Sequence, residues 1–150
     1  MDPSTILQDA EALQEVLTRY VDSRDGYLQA SEIVADEGLT RTFHHIADRR
    51  ERIAGRIAEL LHSDGQRPDT TGSTEAGVHR WWIRMRDKLS EHEPSAVVEE
   101  CLRGEKELSR TLHSVAESGN LTPAHAPLVA EAISEVDLAI RAFELMVDDA

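Results

Sequence analysis

Four glutamates, Glu32, Glu51, Glu105 and Glu135, fall part-way along strongly periodic segments at similar depth, one to a segment. Glu105 is the sharpest case. In VEECLRGEKEL, residues 98–108, the side chains of Val98, Cys101, Leu102 and Leu108 mark one face of a helix, and Glu105 stands in the gap on that face. A carboxylate is costly to bury without a partner. It must therefore meet a metal, meet an arginine, or lie at the edge of the face. One carboxylate per helix, with His44 on a stripe shared with Asp48 and Glu51, is the donor chemistry of a carboxylate-bridged iron or manganese centre. Such centres take a Glu from each of two helices and a Glu-x-x-His pair from each of the other two, because residues i and i+3 share a face. The chain offers one such pair, Glu59-Leu60-Leu61-His62, at a helix end, and three places after Glu135 stands Leu138. The ligand set is incomplete.

Arginines crowd the same zone. Arg24 takes a companion position on the first periodic segment, Arg50 interrupts Ile46 and Ile53 on the second, and Arg49 and Arg52 flank it. A permanently charged guanidinium beside a dry metal site opposes the metal by several kcal/mol, an order-of-magnitude Coulomb argument. The same residues make a different object, a buried ionic layer of Arg24, Arg50, Glu105 and Glu135. This layer is the expectation adopted, with no metal cofactor. Iron or manganese on Glu32, Glu51, Glu105, Glu135 and His44 is the alternative.

A second concentration of chemistry lies between the long segments, where Arg80, Arg84, Arg86 and Lys88 surround Trp81 and Trp82 in an otherwise acidic chain. Trp82 is expected to anchor this short helix on the core. Trp81 points about 100° away around the helix and, with Arg80, Arg84 and Arg86, forms the expected interface, since Trp and Arg dominate binding hot spots. The acidic surface of a second copy suits it, and a homodimer is the first expectation. Cys101 reads as a buried, inert thiol and Tyr20 and Tyr27 as core residues whose hydroxyls need partners. No Ser-His-Asp order, phosphate loop or nucleophile elbow is present.

The elements that position these groups are helices. Ile6, Leu13, Tyr20, Tyr27 and Val34 recur every seven residues, and Phe43, Ile46, Ile53, Ile57 and Leu60 continue on a second face. The spacing places helices at about 4–37, 40–63, 75–90, 94–118 and 124–148, with Gly38 ending the first and Thr40 capping the second. The turn-rich SDGQRPDTTGST, residues 63–74, is a loop. A weak internal echo, Arg24-Asp25-Gly26 against Arg103-Gly104, divides the chain into two hairpins joined by a long crossover. The fold class is all-α: a ferritin-like four-helix bundle with a short extra helix in the crossover, one domain over residues 1–150.

The segments SRDGYLQASEIVAD, GVHRWWIRMRDKL and VVEECLRGEKEL, in this order and spacing, resemble an uncharacterised bacterial family of ferritin-like four-helix-bundle proteins classed as a domain of unknown function. The resemblance runs from about Ser4 to Met146 and is most specific at His79-Arg80-x-Trp82 and at Glu100-Cys101-x-x-Gly104-Glu105. It implies the fold and a stress-related setting, and brings no assigned reaction.

Bulk composition narrows the partners. With 29 acidic and 16 basic residues the formal charge is −13, which repels nucleic-acid backbones and anionic membranes. No apolar run is long enough to span a bilayer, and the amino-terminal stretch has no signal-peptide core, so a cytoplasmic setting is expected. At 40% hydrophobic and 4% aromatic residues, the aliphatic content favours helix-on-helix packing. The expected function is that of a non-enzymatic bundle acting by protein interaction or self-association.

Overall fold

The heptad spacing of apolar residues gives each long segment one face to bury, and the chain folds accordingly into helices without a strand among the described residues. The computed structural model describes residues 3–73, 85–87, 94–118 and 121–148. Four long helices are α1 (Pro3–Ile33), α2 (Glu37–Ser63), α3 (Pro94–Glu117) and α4 (Ala126–Asp148). The chain is also helical at 85–87, within the segment read as the crossover helix. The rest of that segment, including Arg80, Trp81, Trp82, Arg84 and Lys88, lies outside the described residues.

The first turn differs from the sequence expectation. α1 stops at Ile33, and Asp36 caps α2, its carboxylate accepting from the Leu39 amide at 2.9 Å. Gly38 therefore sits inside the first turn of α2, and Thr40 is no cap, its hydroxyl donating back to the Asp36 carbonyl. Aspartate wins because its carboxylate satisfies an orphan amide at the positive end of the helix. At the other end, Gly65 takes φ 81° and its amide reaches the His62 carbonyl, while Gln66 reaches that of Leu61. These two bonds close α2 with a left-handed Schellman turn.

Contacts across the bundle fix the helix directions. His125, just before α4, touches Asp9 near the start of α1 and Asp64 at the end of α2. Further along, Tyr20 reaches the Ala132 carbonyl and Tyr27 stacks on Phe143, so α1 and α4 run the same way. α2 runs against α4, with Arg50 on Glu135 and Arg56 on Glu131. α3 runs against α1, its start packing with Tyr27 and Ala30 and its end with Leu13 and Val16. Two antiparallel hairpins result, and the link from α2 to α3 must travel the length of the bundle. Its first part is tacked along α1: Gln14 brackets the backbone of Asp69 with two hydrogen bonds, and Asp22 accepts from the Ser73 amide at 2.8 Å. Gly72 is required there, with φ 88° and room for a Cβ only 2.7 Å from the Asp22 carboxylate.

The interior is not one continuous apolar core. One cluster joins Leu13, Leu17, Ile53, Ile57, Leu112 and Val136, and the other joins Tyr27, Phe43, Ile46, Met85, Val98, Cys101 and Phe143. Between them lies a layer of charge.

Candidate functional site

Arg50 is where it is because of helical spacing. It follows Phe43, Ile46 and Ala47 and precedes Ile53, Ala54 and Ile57 on the buried stripe of α2, so its side chain can only enter the bundle. Glu105 takes the matching place on α3 between Cys101 and Leu108, and Glu135 lies one residue before the buried Val136 on α4. Arg50 is fully buried at 0% exposure, Glu105 is at 2% and Glu135 at 9%.

These three side chains meet. The Arg50 Nε donates to both oxygens of Glu135, at 3.0 and 3.1 Å. Nη1 donates to Glu105 Oε2 at 3.0 Å and to the Ser23 hydroxyl at 2.9 Å, and Nη2 pairs with Glu105 Oε1. Tyr27 donates its hydroxyl to Glu105 Oε2 at 3.1 Å, and Arg49 approaches Glu135 Oε1 at 3.5 Å from the solvent side. The guanidinium also lies 5.5 Å from the centre of the Tyr20 ring, in reach of its π face. All four carboxylate oxygens and all three guanidinium nitrogens are thereby engaged. All four long helices contribute, α1 through Ser23, Tyr27 and Tyr20.

The electrostatics follow from burial. Desolvation works against the Arg50 charge, but Glu105 first and Glu135 after it outweigh that penalty and hold the guanidinium above its ordinary pKa. Burial pushes the hydroxyls of Tyr20 and Tyr27 well above the usual tyrosine range, Glu105 adding to the effect on Tyr27. Cys101 is a buried thiol whose pKa is raised by burial and then by Glu105 and Glu100. A neutral thiol is a poor nucleophile.

The other residues singled out from the sequence lie elsewhere. Arg24 is partly exposed and pairs with its neighbour Asp25 at 2.9 Å, so it does not join the layer. Its companion position on α1 turns it toward the rim, where the adjacent carboxylate is the nearer partner. Glu32 is exposed on α1 and His44 on α2. Glu51 lines an outer depression of about 430 Å³ with His45, Asp48, Arg49 and Arg52, and therefore points away from Glu105 and Glu135. The pair Glu59 and His62 is exposed at the end of α2. Among the described residues no group of three or more His, Cys, Asp or Glu side chains is arranged to hold a metal ion. The two carboxylates that do converge, Glu105 and Glu135, share the Arg50 guanidinium between them. Of the expected interface, Arg86 is exposed, and Arg80, Trp81 and Arg84 fall outside the described residues.

The chain matches the family model for a domain of unknown function (DUF2383) over residues 8–118. It belongs to that family. The match contains Arg50 and Glu105 and ends before α4, which carries Glu135. No curated protein and no solved structure matches the chain. Within the stretch Glu100-Cys101-x-x-Gly104-Glu105, the two glutamates have separate partners: Glu100 holds Arg103 at 2.6 Å, and Glu105 turns inward to Arg50.

Two groups of site residues were not legible beforehand. Tyr27 and Ser23 complete the hydrogen bonding of the layer, and the heptad placement of Tyr27 signalled only that its hydroxyl needs a partner. The cluster of Asp9, His125 and Asp64 carries no spacing signal, since its members come from three separate parts of the chain.

Proposed function

We propose that this member of the DUF2383 family is a non-enzymatic bundle of the ferritin-like type, its centre closed by an Arg50–Glu105–Glu135 ion-pair layer that stands where a di-metal site would be. The observation that carries this reading is the fully buried guanidinium spread across both carboxylates. It engages all four of their oxygens and supplies the positive charge a metal would bring. The two-hairpin arrangement with one long link is the single-crossover topology that the ferritin-like comparison requires.

The activity is binding, to another protein or to a second copy, with a dimer as the simplest assembly and a cytoplasmic setting. The charge of −13 disfavours nucleic acid as a partner. Among the described residues no helix is long and apolar enough to cross a membrane. Among the described residues the two most exposed large apolar side chains, Leu138 at 68% and Leu145 at 60%, lie a heptad apart on α4 and offer a second apolar contact beside the arginine-rich segment read from the sequence as an interface.

Elemental analysis tests the centre. The untagged protein is loaded anaerobically with Fe(II) or Mn(II) and desalted, with Glu105→Ala alongside. Neither protein is expected to retain stoichiometric metal, and about two ions per chain in the native protein, lost in the variant, would overturn the reading. Sedimentation velocity tests the binding role. An oligomer weakened by Trp81→Ala or Arg84→Glu is expected, and a monomer at all concentrations that captures no protein partner removes it.

A further inference from the structure

At the end of the bundle remote from the link's buried Met85, His125 is enclosed between two aspartates from other helices. Its Nδ1 lies 2.8 Å from Asp9 Oδ2 and its Nε2 lies 2.8 Å from Asp64 Oδ2. The three groups differ in exposure. His125 and Asp9 are sealed at 3% and 2%, whereas the Asp64 side chain is 41% exposed. The second oxygen of Asp9 is buried without a hydrogen-bond partner among the described residues, so the Asp9 charge leans on His125.

An imidazole donates from both nitrogens only as a cation, and the neutral ring keeps one N–H. We infer that the Asp9–His125–Asp64 clasp is a proton-operated latch, in which loss of one proton from His125 releases Asp64 and leaves Asp9 held. The asymmetry of burial decides which contact breaks. Losing the bond to Asp9 strands a carboxylate in the interior, whereas Asp64 can turn to water. The neutral ring therefore keeps its proton on Nδ1, and its Nε2 lone pair faces the Asp64 carboxylate and repels it.

Asp64 is the root of the long link. It caps the end of α2, and its amide with those of Gly65 and Gln66 closes that helix on the carbonyls of Leu60, Leu61 and His62. Beside it, Ala10, Glu11, Gln14, Leu61, Gln66 and Arg67 line an open cavity of about 280 Å³. Release of Asp64 frees the root of the segment that supplies Gln66 and Arg67 to that lining. Among the described residues the charged and titratable groups at this end include Asp9 and Glu11 from α1, the exposed His62 in the last turn of α2, Asp64 and Arg67 from the end of α2 and the link, and Glu131 on α4, which is taken up by Arg56. α3 reaches this end of the core through the uncharged Leu112 and Val115, and its His113 and Glu117 are exposed. The tacks further along the link, Gln14 on Asp69 and Asp22 on Ser73, contain no imidazole and hold while the root lets go.

The test follows the ring and the backbone together, in the native protein between about pH 5 and pH 9. ¹⁵N spectra of the His125 ring report its tautomer, and hydrogen exchange reports the amides of Asp64, Gly65 and Gln66, corrected for intrinsic rate. The ring is expected to lose its Nε2 proton and retain the one on Nδ1. Protection of the three amides should fall roughly ten-fold or more at the same midpoint. In Asp64→Asn the amide side chain can accept from the charged ring or donate to the neutral one, so protection is retained and its pH dependence disappears. Loss of the Nδ1 proton in place of the Nε2 proton, invariant protection of the three amides in the native protein, or an unchanged pH profile in Asp64→Asn would each overturn the latch.

Discussion

Replacing Arg50 by methionine separates a buried ion pair from a surface one with similar bonds. The variant keeps an unbranched apolar stem, ending at about the place of Nε, but removes the group that satisfies Glu105, Glu135 and Ser23 at once. Glu105 is left with the Tyr27 hydroxyl, and Glu135 with Arg49 at 3.5 Å, itself 40% exposed. Glu105 then remains in the interior without a counter-charge and Glu135 keeps only the rim cation Arg49, and removing one member of a buried pair costs about 3–5 kcal/mol. For a chain of this size each kcal/mol moves Tm by about 2–4 °C, so Tm should fall by roughly 6–20 °C. The control is Arg56→Met. Arg56 meets Glu131 at 2.6 Å, but both side chains are 51% exposed, and such pairs contribute about 1 kcal/mol or less. Urea unfolding and thermal scans monitored by circular dichroism read both variants. An Arg50→Met cost no larger than that of Arg56→Met would refute the reasoning, because burial is then not what sets the strength of the layer.

Three smaller predictions use the same interior. Tyr20 and Tyr27 are the chain's two tyrosines, and burial raises both above the ordinary value of about 10. The unfolded chain therefore loses these protons first as pH rises. The associated stability is present below about pH 10 and is lost on going higher, and absorbance at 295 nm should show little tyrosinate at pH 11 while the fold persists. Cys101, whose thiol is raised by burial and then by Glu105 and Glu100, should react with iodoacetamide at pH 8 at least roughly ten-fold more slowly in the native protein than in urea. Equal rates would show that the thiol is accessible and ionised. Asp36→Ala removes the bond to the Leu39 amide and should cost about 1 kcal/mol, with faster hydrogen exchange at Leu39 marking the frayed start of α2.

The contrast between Glu105 and His125 shows what periodicity reveals. Glu105 was visible because it interrupts an apolar stripe, and an interruption on one helix can be read without knowing the neighbours. Arg50 was visible for the same reason. Their pairing required the relative height of α2, α3 and α4, which depends on turn lengths, and Arg24 shows the limit. It sits near the same level of α1, but a half-buried rim position with Asp25 beside it gave a local partner that a helical wheel does not rank. The α1–α2 turn was misplaced because two helix-punctuating signals, Asp36 and Gly38-x-Thr40, stood close together. The carboxylate made the bond to the Leu39 amide, and the glycine was simply tolerated in the first turn. His125 sits in a non-periodic turn between α3 and α4, and nothing local marks it as buried.

The position of the layer argues for a role in register. Leu128 and Glu135 are seven residues apart on α4, as are Phe43, Arg50 and Ile57 on α2, and Val98, Glu105 and Leu112 on α3. Sliding α4 by one heptad, about 10 Å along its axis, keeps an apolar stripe facing an apolar stripe. Such a slip takes about two turns off one end of the packing, and it also brings Leu128 or Ala142 to the height of Arg50 and leaves the guanidinium short of a carboxylate. That penalty belongs to the about 3–5 kcal/mol class of a broken buried pair. The triple variant Arg50→Met, Glu105→Met, Glu135→Leu removes the penalty together with the desolvation cost of all three charges, and is expected to unfold at least as late as the native protein. It should nevertheless lose uniqueness, seen as broadened or doubled amide resonances for α4 and as new cross-links between cysteines placed one heptad out of register. A triple variant that is both stable and single-state would show that turn lengths and core shape alone set the register, and that the ion-pair layer has some other purpose.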